Sequence, residues 1–385
     1  MELDPALQTA IASCYSSDAA DQWHLFLEKN PPHWPALSSY ATTLGLAPLL
    51  YDAFRRFDES AIPVEILSDL RKQYYDTAGF NMLILQELVA LLRSFETAQI
   101  DVVVLKGAAL VLDVYERLAH RPMIDLDLLI RFEDLDVARA MLEKKEYQEI
   151  RPAPFADDTG LVWNEIMLVQ KEKKGPAIEL HWHLIDNPYY ATRLNTESLI
   201  ERSRQLNVAD VSPRVLDLED QIIHLCCHNL YHHLGRFTHS LVDIAFLVAK
   251  YGDEITWEKI IQQAEESDVT LAVGTAILQL SSNWYTSIPE SAIEKSSSWK
   301  PSNRERFYAS SQQSEYLRAL RTISALPGVR SKFRYIRGQL LPERPYMMWR
   351  YDLGPETSLT SSYMRRFGDG IQGLGRTIRR RRKKP

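Results

Sequence analysis

Apolar and polar positions change their period several times along the chain, and those changes divide it. Through residues 1–98 apolar side chains recur every third or fourth position: in Leu25-Phe26-Leu27, from Leu44 to Leu50, and over the long stretch from Val64 to Phe95. That spacing puts them on one face of a helix. Pro31, Pro32 and Pro35 interrupt the first run, and Ile62-Pro63 precedes the long one, where proline suits a first helical turn. An all-helical N-terminal region is expected.

From Ile100 the period shortens. Val102-Val103-Val104-Leu105 is a β-branched run, Ala108 to Leu118 returns to helical spacing, and Met123 to Ile130 alternates with period two. Glu133 to Lys145 is again helix-like, with Asp134 and Asp136 in the first turn, where negative charge complements the helix dipole. Two further strand-like runs, Leu161–Val169 and Ala177–Leu184, are separated by the charged turn Lys171-Glu172-Lys173-Lys174-Gly175-Pro176. After Asn187-Pro188 helical spacing resumes, most clearly from Leu216 to Ala249 and then over Trp257–Ala264 and Val269–Leu280. Ser296–Asn303, rich in serine and holding Pro301, predicts an exposed loop. The pattern thus predicts an α+β protein: an N-terminal helical region over 1–98, a compact unit of mixed strands and helices over 99–186, a helical domain over 187–330, and an extension over 331–385.

Composition adds two constraints. An apolar share of 45% and a charged share of 25% are those of a folded globular chain, and 385 residues suffice for more than one domain. The formal charge of −6 conceals an asymmetry: Arg376, Arg379, Arg380, Arg381, Arg382, Lys383 and Lys384 place seven positive charges on the last ten residues, and removing them takes the charge from −6 to −13. An acidic body argues against broad nucleic-acid binding by the folded part, whereas the basic tail, if it is more than a solvated end, can contact anionic partners. Cys14, Cys226 and Cys227 make no disulfide framework, the N-terminus lacks the basic start and apolar core of a signal peptide, and no uninterrupted apolar run reaches 18 residues. A cytoplasmic protein without a membrane span is expected.

The chemistry is concentrated in the α+β unit. Along a strand, side chains alternate faces, so Ile124, Leu126, Leu128 and Ile130 are expected to form the buried row while Asp125 and Asp127 point the other way, their Cα atoms about 6.5–7 Å apart. The same alternation in Ala177–Leu184 leaves Glu179, His181 and His183 opposite Ile178, Leu180, Trp182 and Leu184. If the two strands are neighbours, Asp125, Asp127 and Glu179 make one cluster of hard oxygen ligands suited to Mg²⁺ or Mn²⁺. Gly107 stands where a strand hands over to a helix, so the backbone N–H groups there, including that of Ala108, can receive a triphosphate, with Lys106 and Arg121 adding positive charge. His224, His228 and His232 recur every four residues on one helical face. They can bind zinc, but a hydrogen-bonded cleft wall formed by His181, His183, His224 and His228 is the preferred reading. Trp163, Trp182, Tyr189 and Tyr190 suit either core packing or stacking on a base, and Asp217, Asp220 and Asp243 suit helix caps or histidine partners.

Taken in order, Leu105-Lys106-Gly107-Ala108-Ala109-Leu110, the Arg-x-x-x-Asp-x-Asp-Leu-Leu run from Arg121 to Leu129, and Ile178-Glu179-Leu180-His181-Trp182 resemble the nucleotidyltransferase superfamily that shares the DNA polymerase β catalytic fold. More narrowly they resemble the bacterial group described as uncharacterised nucleotidyltransferases, whose helical C-terminal half Asp217 to His228 and Leu241 to Leu247 also resemble. The resemblance implies a small mixed sheet with helices, flanked by helical regions. It also implies transfer of a nucleoside monophosphate from an NTP donor to an acceptor hydroxyl, of unidentified class, with release of pyrophosphate. Asp125, Asp127 and Glu179 would then be catalytic and metal-binding, with Lys106, Gly107, Ala108 and Arg121 on the phosphates. Active members of the superfamily follow the glycine with Gly-Ser, whereas Ala108-Ala109 stand here. That departure supplies the alternative reading, a degenerate nucleotidyltransferase fold used as a binding or regulatory module.

Overall fold

The computed structural model describes residues 3–29, 32–56, 62–172, 175–208, 211–235, 238–282, 284–312, 314–354, 359–366 and 368. Part of the charged turn over 171–176 and all of the basic tail lie outside them. Among the described residues seven strands form one mixed sheet: β1 (Val103–Val104), β2 (Asp125–Leu129), β3 (Tyr147–Glu149), β4 (Glu165–Gln170), β5 (Ala177–His181), β6 (Arg204–Gln205) and β7 (Arg214–Val215), in the order β3-β4-β5-β2-β1-β7-β6. The pairs β2–β5 and β1–β7 are parallel and the rest antiparallel. The α+β class read from the pattern is the one observed. The strands β3, β6 and β7 were not expected, because two or three residues are too few for an alternation to be legible.

Helices account for most of the rest. The N-terminal region folds as Pro5–Ala12, Ser17–Lys29, Trp34–Thr43, Ala47–Arg55 and the long helix Val64–Thr97. The long helix buries Leu70, Tyr74, Asn81, Ile84, Leu88, Leu91 and Phe95, a stripe at helical spacing. Among the described residues it is one helix long and apolar enough, by length and composition, to cross a bilayer, although its sequence holds no unbroken apolar run of that length. Here its two ends serve different cores. Ile84, Leu88, Leu91 and Phe95 pack with Leu126, Leu128, Ile178 and Leu180 from the sheet. Leu70 and Tyr74 belong to a larger cluster in which Leu7, Trp23 and Phe54 share one apolar interior with Ile222, Leu247 and Ile277. The N-terminal helices and those beyond residue 187 therefore fold against each other.

The expected helix from Leu216 to Ala249 is divided. Leu218–Cys227 is α-helical, His228–His232 is a π-helical turn, and a new helix runs Thr238–Tyr251. The expected loop Ser296–Asn303 is shorter than its composition suggests, since one helix extends to Ser298 and the next begins at Asn303. The region past Leu326-Pro327 is helical as well, with Gly328–Leu340 and Arg344–Tyr351.

Asp52, on the helix Ala47–Arg55, carries a charge into the interior of the N-terminal helices. Its carboxylate lies 3.1 Å from Arg56, 3.4 Å from His120 and 3.6 Å from Arg117. Burial alone would raise its pKa, but the His120 hydrogen bond and the charges of His120, Arg117 and Arg56 outweigh that and hold it at about 2, against an ordinary 3.8. A carboxyl held low contributes stability that is complete above the ordinary value and is lost as pH falls through the lower one. Asp52→Asn is expected to cost about 2 kcal/mol at neutral pH, from the ~1.4 kcal/mol that each pKa unit represents. Urea unfolding at a series of pH values should show the deficit shrinking between about pH 4 and pH 2.

Candidate functional site

The register of three strands builds the site. In the parallel pair β2–β5, Asp127 stands opposite Glu179 and Leu129 opposite His181. In the antiparallel pair β4–β5, Glu165 stands opposite His181 and Met167 opposite Glu179. Because alternate residues share a face, Asp125, Asp127, Glu165, Glu179 and His181 all lie on one side of the sheet, while Leu126, Leu128, Ile166, Ile178 and Leu180 fill the core on the other. The sequence expectation that Asp125, Asp127 and Glu179 would meet on adjacent strands describes this face, but Ile124, expected in the buried row, is exposed because it precedes the start of β2 at Asp125.

Two cations are packed among these carboxylates. Leu105 N–H donates to the Asp127 carbonyl (2.9 Å), which sets Lys106 beside β2 as the first residue of the helix Lys106–Asp113. Lys106 takes a left-handed backbone conformation, φ +47°, uncommon for a residue with a side chain and a frequent mark of functional turns. Its Nζ donates to Asp127 Oδ1 at 2.6 Å and to Glu179 Oε2 at 3.4 Å. His181 is the second cation: Nε2 lies 2.9 Å from Asp127 Oδ1 and 3.6 Å from Glu179 Oε2, and Nδ1 lies 3.0 Å from Glu165 Oε2.

These contacts set the protonation states. Burial disfavours charge on Asp127, yet the Lys106 ammonium and the His181 hydrogen bond overcome it and hold this carboxyl well below the usual range. Glu165 is likewise held at about 2 by His181 against the effect of burial. Burial also opposes a charged His181, but Glu165 and the hydrogen bonds to both acids keep the ring protonated, its pKa well above the ordinary value. Among the described residues Asp125 makes no such ion pair or hydrogen bond. Burial, then the negative charges of Asp127 and Glu179, push it up to about 7.

The other expected site residues fall in different places. Gly107 sits against Met123, whose Cγ would lie 3.1 Å from an added Cβ, so a side chain here would have to displace the methionine by a few tenths of an ångström; Ala108 is buried in the sheet core. Arg121 was expected on phosphates. Instead its Nε donates to both oxygens of Asp243 (2.9 and 3.1 Å), an acid that also accepts from the Tyr115 hydroxyl at 2.7 Å. His183 does not join the cluster, because β5 ends at His181 and the chain then bends; its ring lies beside Thr196. His224 and His228 are held well below the ordinary imidazole pKa by burial and then by the Lys106 charge, so they are neutral rings. The rings of His228 and His232 stack 5.2 Å apart within the π-helical turn. Trp182 and Tyr190 are core residues, with the indole N–H of Trp182 donating to Gly160 (2.8 Å). Asp217 caps its helix by accepting from Asp220 N–H, one of the roles its position suggested.

Two contributors, Glu165 and Asn81, were not singled out from the sequence, and a third, Asp243, was given a different role. Glu165 is the first residue of β4, where a single polar side chain gives no signal. Asn81 is fully buried on the long helix; its amide donates to the carbonyls of Leu118 and Arg121 and accepts from Met123 N–H (3.2 Å), clamping the loop that leads into β2. An asparagine at a core position of an apolar helical stripe was the available sign. Asp243 was read as a cap or histidine partner, and its role on Arg121 depends on a contact across 122 residues of chain.

Asp127, Glu179 and His181 each offer a ligand atom within 4.8 Å of the others, a grouping able to hold a metal ion. The oxygens of Asp125, Asp127 and Glu179 suit a hard divalent cation, whereas both nitrogens of His181 already face carboxylates. The chain matches the family described as uncharacterised nucleotidyltransferase over residues 30–285, a span that includes all seven strands. A solved structure of an antigenic nucleotidyltransferase-like protein from Paracoccidioides brasiliensis is similar over 55% of this chain and 96% of that one, at 17% identity and a TM-score of 0.37. No curated protein matches the chain.

The Arg121–Asp243 pair yields a direct test. Asp243→Ala leaves a buried guanidinium and the Tyr115 hydroxyl without their acceptor and is expected to cost about 3–5 kcal/mol in urea unfolding. Adding Arg121→Met should restore much of the loss, because an apolar side chain there needs no partner. A single mutant as stable as the wild type would show that Arg121 is not held by this acid.

Proposed function

Because the chain belongs to the uncharacterised nucleotidyltransferase family, we propose that it transfers a nucleoside monophosphate from an NTP to an acceptor hydroxyl, using a divalent metal held by Asp125, Asp127 and Glu179. The observation that carries this reading is the register that sets Asp127 directly opposite Glu179, with Asp125 two residues away on the same face. A bound Mg²⁺ or Mn²⁺ supplies Lewis acidity toward the phosphoryl oxygens and lowers the pKa of a coordinated hydroxyl.

The protein's own part is positioning and charge. Glu179 orients the acceptor hydroxyl and takes its proton as the new O–P bond forms and the bond to the leaving pyrophosphate breaks. The N–H groups at the start of the helix Lys106–Asp113, at its positive end, receive the triphosphate. His181 keeps Asp127 and Glu165 ionised without occupying their remaining lone pairs. Lys106 spans Asp127 and Glu179, the two carboxylates that a divalent ion would share, so ammonium and metal compete for the same oxygens. A metal held by these oxygens would free Lys106, which stands beside the triphosphate turn, where its charge would serve the phosphates. Arg121, held by Asp243, has no part in this account.

Calorimetry with a panel of NTPs, with and without Mg²⁺, tests the proposal. Wild-type protein is expected to bind an NTP in a metal-dependent manner, and Asp125→Ala/Asp127→Ala to lose that binding. Nucleotide transfer should fall by about 10²–10³-fold or more, the scale of removing a major electrostatic contributor. The Lys106 contacts also favour a second reading, in which the ammonium permanently replaces the metal and the fold serves as a binding module. The two diverge on Lys106→Met. Competition predicts tighter Mn²⁺ binding and weaker NTP binding than wild type, whereas a module with a resident ammonium shows no metal-dependent NTP binding in either protein.

A further inference from the structure

The helix Gly328–Leu340 is packed with its apolar stripe facing outward. Tyr335 and Gly338 are buried, and Gly338 approaches Phe155 so closely that an added Cβ would lie 2.1 Å from its ring, which fixes the inward side of the helix. On the opposite side Val329, Phe333, Ile336 and Leu340, spaced by four, three and four residues, form one stripe with exposures of 83, 67, 40 and 50%. Solvent contact of this kind on four successive turns of a helix marks a surface made to be covered.

Charge identifies the cover. The helix carries Arg330, Lys332, Arg334 and Arg337 and no acidic residue. On a helical projection Arg330 and Arg337 flank the stripe on one side and Lys332 on the other, while Arg334 is turned toward Asp158 (2.7 Å). A second copy of the chain would bring like charges together across the stripe. The chain's own C-terminal residues, with seven positive charges among the last ten, offer it no complementary charge either. Apolar side chains between basic flanks match the boundary of an anionic bilayer, where phosphate lies above and acyl chains below.

We propose that Gly328–Leu340 docks this protein on an anionic lipid surface, with Val329, Phe333, Ile336 and Leu340 entering the acyl boundary and Arg330, Lys332 and Arg337 on lipid phosphates. The basic tail adds a second, less specific attraction. The rest of the chain carries a net negative charge, so attraction is strongest toward the C-terminal part of the chain and orients the molecule on the surface.

The test is co-sedimentation of the full chain with phosphatidylcholine vesicles, with and without about 30% phosphatidylserine, at near-physiological salt. Phosphatidylserine is expected to raise partitioning at least about tenfold. Phe333→Ser/Ile336→Ser should lower it about tenfold or more with the melting temperature retained, since both side chains are exposed. Arg330→Ala and Arg337→Ala should each lower it about fivefold, the scale of one basic residue at such a surface. Removal of residues 371–385 should weaken binding without abolishing it. Equal partitioning into both vesicles, or binding that survives Phe333→Ser/Ile336→Ser and disappears with the tail, overturns the proposal. So does a concentration-dependent dimer lost in that double mutant, or salt-dependent binding of an RNA oligonucleotide by a protein that ignores vesicles.

Discussion

Four carboxylates on one face of a sheet are the constraint to which much of this structure answers. Asp125, Asp127, Glu165 and Glu179 come together because three strands pair in a fixed register, and a shift by one residue would send all of them into the apolar core. Bringing anions together away from water is costly unless cations accompany them. Lys106 and His181 are those cations, and each reaches the cluster through a specific backbone feature: a left-handed turn at the end of β1 for Lys106, the last residue of β5 for His181. Two cations against four acids leave a net negative site, with Asp125 the acid least served. A site in that state is disposed to take up positive charge and the phosphates that accompany it.

The helical parts support this face. Asn81 ties the segment from Leu118 to Met123 to the long helix, and Asp243 holds Arg121 in the same segment from the opposite side. The chain leading into β2 is therefore gripped by the N-terminal helices and by the helix Thr238–Tyr251 at once. Both regions also share one apolar interior. Precise placement of Asp125 and Asp127 follows from that double grip, since ligands on a loop held from one side alone would be free to drift. The outward stripe of Gly328–Leu340 belongs to another level of organisation. It contributes nothing to the interior and reads instead as a contact between the molecule and a surface.

Much of the site was legible because it is local. Period-two alternation placed Asp125 and Asp127 together, and Glu179 with His181, before any pairing was known. Where the sequence reading stopped short, distance along the chain was the cause. Arg121 was assigned to phosphates from its place just before β2, since nothing nearby in sequence reveals a buried Asp243. His183 was placed on the face of His181 by extending the alternation past the point where the strand ends. Glu165 gave no signal because its partner is on another strand.

The sequence by itself determined most of the helical segments, the strands β1, β2, β4 and β5, the α+β class and the carboxylate pair, because these depend on periodicities of two and 3.6 residues. Tertiary structure alone decided which charges neutralise which. It gave Lys106 and His181 to the acids and Arg121 to Asp243, and it turned one apolar stripe to the outside. Those outcomes depend on strand register and helix packing over tens to hundreds of residues, and electrostatic energy is set by distance in space, to which spacing along a chain is blind.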